Sequence, residues 1–64
     1  MAWHKADKKM TVAEAKAYYK YAQPSAIFLD GSRLPYKDMK KADGATFEGM
    51  EVSSGIVYYY AKSN

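Results

Sequence analysis

The chain contains no cysteine and a single histidine, His4. No disulfide can staple the fold, and one imidazole makes no zinc centre unless several carboxylates converge on it. The lack of cysteine also argues against a small secreted disulfide scaffold. Long apolar runs are missing as well. No stretch could span a bilayer, and the opening Met1-Ala2-Trp3-His4-Lys5 lacks the apolar core of a signal peptide. The expectation is a soluble, cytoplasmic protein with no membrane association. Glycine is scarce, and none of the four forms a phosphate-cradling loop. Ser53-Ser54-Gly55 and Asp30-Gly31-Ser32 are explained as turns and do not match a nucleophile elbow. His4, beside the initiator methionine and without a positioned partner, reads as a solvated surface residue. The sequence therefore predicts no catalytic residue, no metal and no cofactor, and a protein that is not an enzyme.

Aromatic residues and lysine are what the chain does have. A domain of 64 residues buries only about 60% of the surface its unfolded chain exposes. Without disulfides or metal, such a fold relies on aromatic packing or self-association. Ten Lys or Arg against seven Asp or Glu give a net charge of +3. That balance weakly favours acidic partners but falls short of the clustered basicity of most nucleic-acid-binding domains.

Residues 1–10, with Lys5, Lys8 and Lys9, read as a flexible basic arm, although Trp3 could dock and Ala2 to Lys5 could add an edge strand. Residues 11–64 read as a single α+β domain. Thr11-Val12-Ala13-Glu14 is a capping-box pattern that opens a helix from about Val12 to about Ala22, stopped by Gln23-Pro24. Val12, Ala15, Tyr19 and Ala22 form its inward stripe. The Asp30-Gly31 pair predicts a two-residue type I′ hairpin, setting Leu29 opposite Ser32, Ile27 opposite Leu34 and Phe28 opposite Arg33. Pro35 is expected at the first position of a shorter helix with Tyr36 and Met39 facing inward, closed by Gly44 in the left-handed region.

Residues 46–61 predict a second hairpin with a three-residue turn, Ser53-Ser54-Gly55, and a G1 bulge. That register sets Val52 opposite Ile56, Met50 opposite Tyr58 and Glu48 opposite Tyr60, with Phe47, Gly49, Glu51, Val57 and Tyr59 on the reverse face. The predicted order is α-β-β-α-β-β, with an antiparallel sheet of about four strands packed against two helices.

The run Tyr58-Tyr59-Tyr60 carries the functional reading. Alternation along a strand puts aromatic surface on both faces of the sheet, and so short a chain can cover only one of them. An uncovered aromatic face suits a protein partner, because Tyr, Met and Arg are enriched at interface cores. Phe47, Met50, Tyr58, Tyr59 and Tyr60 are the candidate partner-binding residues, and the last strand could be an open sheet edge. The expected function is a small non-enzymatic protein-binding module, an accessory or inhibitory protein on a larger partner or a homodimer. The alternative is a single-stranded nucleic-acid or nucleotide binder that stacks bases on tyrosine, with Lys16, Lys20, Tyr21, Arg33 and Lys37 as its contacts.

Ile27-Phe28-Leu29-Asp30-Gly31, then Met39, then Phe47-Glu48-Gly49-Met50-Glu51-Val52 resembles the strand, Asp-Gly turn, helix and Glu-Val strand order of plug domains of TonB-dependent outer-membrane receptors. Neither the export signal nor the glycine-rich continuation of those domains accompanies it, and the resemblance implies no function for this chain.

Overall fold

The computed structural model describes residues 2–20 and 23–64. Its elements are β1 (Ala2–Thr11), α1 (Val12–Tyr18), β2 (Ala26–Leu29), β3 (Ser32–Arg33), a 3₁₀ helix (Tyr36–Ala42), β4 (Thr46–Ser53) and β5 (Ile56–Lys62). The strands form one five-stranded sheet in the order β1-β4-β5-β2-β3. Neighbours are antiparallel except β2 and β5, which run parallel. The molecule is thus a small α+β fold with a mixed sheet, where the sequence predicts an antiparallel sheet of fewer strands. The two differences have separate causes. The segment read as an arm pairs with β4 from Ala2↔Val52 to Thr11↔Thr46. It is tolerated as an edge because its lysines stay in solvent, and residues 6–9 bulge out of register between Lys5 and Met10. The parallel pair arises because the two hairpins lie side by side, joined by the 3₁₀ helix rather than by a tight turn.

The capping box forms as the sequence predicts: Glu14 N donates to Thr11 Oγ1 (3.2 Å) and Thr11 N donates to Glu14 Oε1 (2.8 Å). Two more free amides of the first turn donate outside the helix, Val12 N to Ala45 O (3.0 Å) and Ala13 N to Asp43 O (3.1 Å). These bonds tie α1 to the start of β4. The helix closes earlier than expected, at Tyr18, and the Gln23 amide donates to the carbonyls of Lys16 and Lys20 beyond it. Val12, Ala15 and Tyr19 face the core as predicted; Ala22, the predicted fourth member of the stripe, lies outside the described residues.

Asp30 and Gly31 have φ of 52° and 84°, as a type I′ turn requires, and the predicted pairs Phe28↔Arg33 and Leu29↔Ser32 form. The second hairpin departs from its expected register. Ser54 and Gly55 also take positive φ, 51° and 79°, and Ser53 pairs with Ile56, so the turn has two residues. Every facing pair then differs from the expectation: Val52 meets Val57, Met50 meets Tyr59 and Gly49 meets Tyr60. A bulge at Glu48 lets Phe47 and Met50, an odd number of residues apart, point to the same side.

The short helix winds as 3₁₀ with Pro35 preceding it. Its three-residue period aligns Met39 and Ala42 inward. Tyr36, one turn earlier, projects into solvent with 89% of its surface exposed, contrary to the inward placement expected for it. Gly44 does not take the left-handed conformation; the chain reaches β4 through Asp43 in the right-handed helical region.

Both helical segments cover the same side of the sheet. The core between them holds Tyr59, Phe47, Ile27, Met50 and Val12 as its largest fully buried side chains. Rings run through it in a chain, with Phe47 4.8 Å from Tyr59 and 5.7 Å from Tyr19 between centroids. Among the described residues no helix covers the opposite side of the sheet.

Candidate functional site

Alternation along β5 sends Tyr59 into the core and Tyr58 and Tyr60 to the bare outer face. Tyr60 stacks on Phe28 of β2 with centroids 5.0 Å apart and planes 9° from parallel. Phe28 also meets Tyr58 at 5.9 Å. From β1, Trp3 reaches across β4 to meet Tyr60 edge-on at 5.3 Å and 71°. It passes over Gly49, where a Cβ would lie 2.6 Å from the indole Cζ2. The missing side chain on β4 is what lets a ring from β1 join a ring on β5. Trp3, Tyr60, Phe28 and Tyr58 thus make one aromatic row across four strands.

The row is partly open to solvent. Trp3 is 55% exposed and Ile56, next along β5 on this face, 42%; Phe28, Tyr58 and Tyr60 are half-buried, and Phe28 touches both tyrosines. Tyr60 donates from its hydroxyl to Glu51 Oε1 at 2.8 Å. That bond, with smaller contributions from desolvation and the carboxylate charge, pushes the Tyr60 phenol above its ordinary value. The bond to Glu51 fixes the direction of the Tyr60 hydroxyl. Lys5 lies opposite Gly49, Arg33 lies opposite Phe28, and Lys62 and Glu48 line a shallow depression beside Phe28 and Tyr60.

The predicted contact set divides accordingly. Tyr58 and Tyr60 lie on the outer face, whereas Phe47, Met50 and Tyr59 are core residues exposed by 2%, 2% and 0%, out of a partner's reach. The two-residue turn and the Glu48 bulge account for this, since together they bring Met50 onto the side of Phe47 and Tyr59. Strand β5 is not an edge: it is paired on both sides, and the edges are β1 and β3. Trp3 and Phe28, absent from the predicted set, complete the row. The signal for Trp3 was a glycine flanked by side chains on the neighbouring strand; the signal for Phe28 was its outward position in the first hairpin.

The alternative contacts lie on the helical side and at the β3 edge. Lys16 is paired with Asp43 at 2.8 Å. Lys20, Arg33 and Lys37 are exposed, and Tyr21 falls outside the described residues. Lys16 and Arg33 line two depressions that share Tyr36 and Met39. Among the described residues no three His, Asp or Glu side chains gather where a metal could bind, and no helix is long and apolar enough to cross a membrane. Comparison with known proteins finds no matching family model, no matching curated protein and no matching solved structure.

Proposed function

We propose that this protein is a small non-enzymatic protein-binding module that meets its partner with the outer face of its sheet. The observation that carries this reading is the aromatic row Trp3–Tyr60–Phe28–Tyr58 on the sheet face that no helix covers among the described residues. Tyrosine and tryptophan supply large contact area for few rotatable bonds, which is why they dominate interface energetics. Here the rings also hold one another in place, so little side-chain freedom remains to be lost on binding.

The rim selects the partner's chemistry. Lys5, Arg33 and Lys62 border the row with Glu48 beside Lys62, while Glu51 is engaged by Tyr60; the excess of positive charge favours an apolar patch with acidic residues around it. Strand addition is disfavoured, because β1 is lysine-bearing and bulged and β3 has only two residues followed by Leu34-Pro35. The partner therefore seats face-on. A cytoplasmic accessory or inhibitory protein riding on a larger partner fits this mode, and so does a second copy of the chain.

The deciding experiment uses Trp3→Asp with Tyr58→Asp, both on the outer face, and checks the fold by circular dichroism. Light scattering over a concentration series and cross-linking to captured partners are compared with the wild-type chain. Loss of the wild-type association in the folded double variant is the expected result; unchanged association would overturn the assignment of this face.

A further inference from the structure

The outer aromatic face leaves the helical side of the molecule unassigned, and that side carries a basic cleft around one unusual residue. Tyr36 is far more exposed than any other large apolar or aromatic side chain described, 89% against 55% for Trp3. Among the described residues no other ring packs on it, in contrast to Tyr60 and Phe28, whose faces are turned to each other. Its side chain, with Met39, lines two depressions at once. One contains Lys16 and Lys40, the other Arg33, and Lys37 is the next residue along the chain.

The charge of this cleft is not cancelled locally. Two acids lie near it, and both are already engaged, Asp43 by Lys16 at 2.8 Å and Asp38 by Lys41 at 3.3 Å. Arg33, Lys37 and Lys40 have no ion-pair partner among the described residues. Cations in two depressions that share one exposed ring match a nucleic-acid strand, whose bases stack on aromatic rings while the flanking phosphates need neutralising. A solvated lysine-rich helix would explain the charges. It would not explain an aromatic ring standing clear of the core among them.

We propose that this cleft binds single-stranded nucleic acid, with one base stacked on Tyr36 and the flanking phosphates on Lys40 to one side and Arg33 to the other. The cleft shares Arg33 with the rim of the aromatic face, but Tyr36 and Lys40 belong to the cleft alone and Trp3 to the sheet face alone, so variants at those residues test the two sites independently. A duplex is disfavoured because its bases are already stacked and offer no face to Tyr36.

The test is a fluorescence-anisotropy titration of the full chain against a labelled thymidine oligonucleotide of roughly ten nucleotides, repeated over a range of salt. Tyr36→Ala removes an exposed side chain and leaves the core intact; it should weaken binding about tenfold with little change in salt dependence. Arg33→Ala with Lys40→Ala should lower the slope of log affinity against log salt by about 1.4, or ~0.7 for each phosphate left without its cation. Trp3→Ala should leave binding unchanged. Absence of binding at low salt, equal affinity of the Tyr36→Ala variant, or equal binding of a duplex of the same length would each overturn the proposal. Displacement by inorganic polyphosphate from wild type and Tyr36→Ala alike would reduce the site to a charge patch and overturn it too.

Discussion

At Gly49 one hydrogen atom in place of a side chain decides the shape of the outer face. A Cβ there would lie 2.6 Å from Trp3 Cζ2 and 2.8 Å from the His4 carbonyl oxygen. The indole, half in solvent, could swing away, but the carbonyl belongs to the backbone of β1 beside β4 and can move only with its strand. Gly49→Ala is therefore expected to cost about 1–3 kcal/mol, as overpacking does elsewhere, and to shift the emission of the chain's single tryptophan. Urea titration followed by fluorescence measures both, and unchanged stability with unchanged emission would show that the ring does not lie on Gly49. Neighbouring tyrosines carry a related lesson. Alternation along Tyr58-Tyr59-Tyr60 follows from strand geometry alone and is legible in the sequence. Which of the three is buried depends on the partner strand, and a turn one residue shorter than expected moved Met50 from the side of Tyr58 to that of Tyr59.

Elements were legible where a local device specifies them. The Thr11–Glu14 box starts α1, and Asp30-Gly31 turns the first hairpin, because each device is built from residues that touch within a few positions. Register in the second hairpin was not, because Ser54-Gly55 turns as tightly as Asp-Gly and the Glu48 bulge leaves no mark of its own in the sequence. Nor could the edge strand be secured, since its pairing rests on Trp3 and Met10 finding distant partners. The first turn has a further role that appears only in three dimensions. Asp30 accepts from Ser63 Oγ (2.6 Å) and Ser63 N (3.0 Å), while its own amide donates to Ala61 O (3.0 Å), strapping the end of β5 to the β2–β3 turn. The Ser63 hydroxyl, then its amide, hold the Asp30 carboxyl below its ordinary value of 3.8. A carboxyl depressed in the folded state contributes stability that is complete above pH 3.8 and is lost as the pH falls through the lower native value. Asp30→Asn keeps a residue that tolerates positive φ but removes the charge. Urea midpoints of wild type and variant should differ at pH 7 and converge on acidification; a constant difference across that range would show that the strap does not depend on the carboxylate.

For the whole molecule, the pairings that close the sheet are the least local ones. Strand β1 pairs with β4 so that Ala2 meets Val52, and the parallel pair sets Ala26 against Tyr58. Only the β4–β5 hairpin, eight residues against seven around a two-residue turn, is both long and local. Loop-closure entropy must be met before distant strands gain from pairing, so the C-terminal hairpin is expected to form early and β1 to dock late. Folding should take milliseconds to seconds, as for other domains dominated by non-local contacts. Two substitutions separate the stages. Gly55→Ala strains a residue at φ 79° in the turn and should slow refolding, because the early hairpin carries that strain in the transition state. Met10→Ala opens a cavity at a β1 residue that is only 4% exposed, and should mainly speed unfolding while refolding stays close to wild type. Stopped-flow circular dichroism over a urea series reads both arms for each variant. The reverse pattern, with Met10→Ala slowing refolding and Gly55→Ala speeding unfolding, would place β1 in the nucleus and make the long-range pairing the first event of the fold.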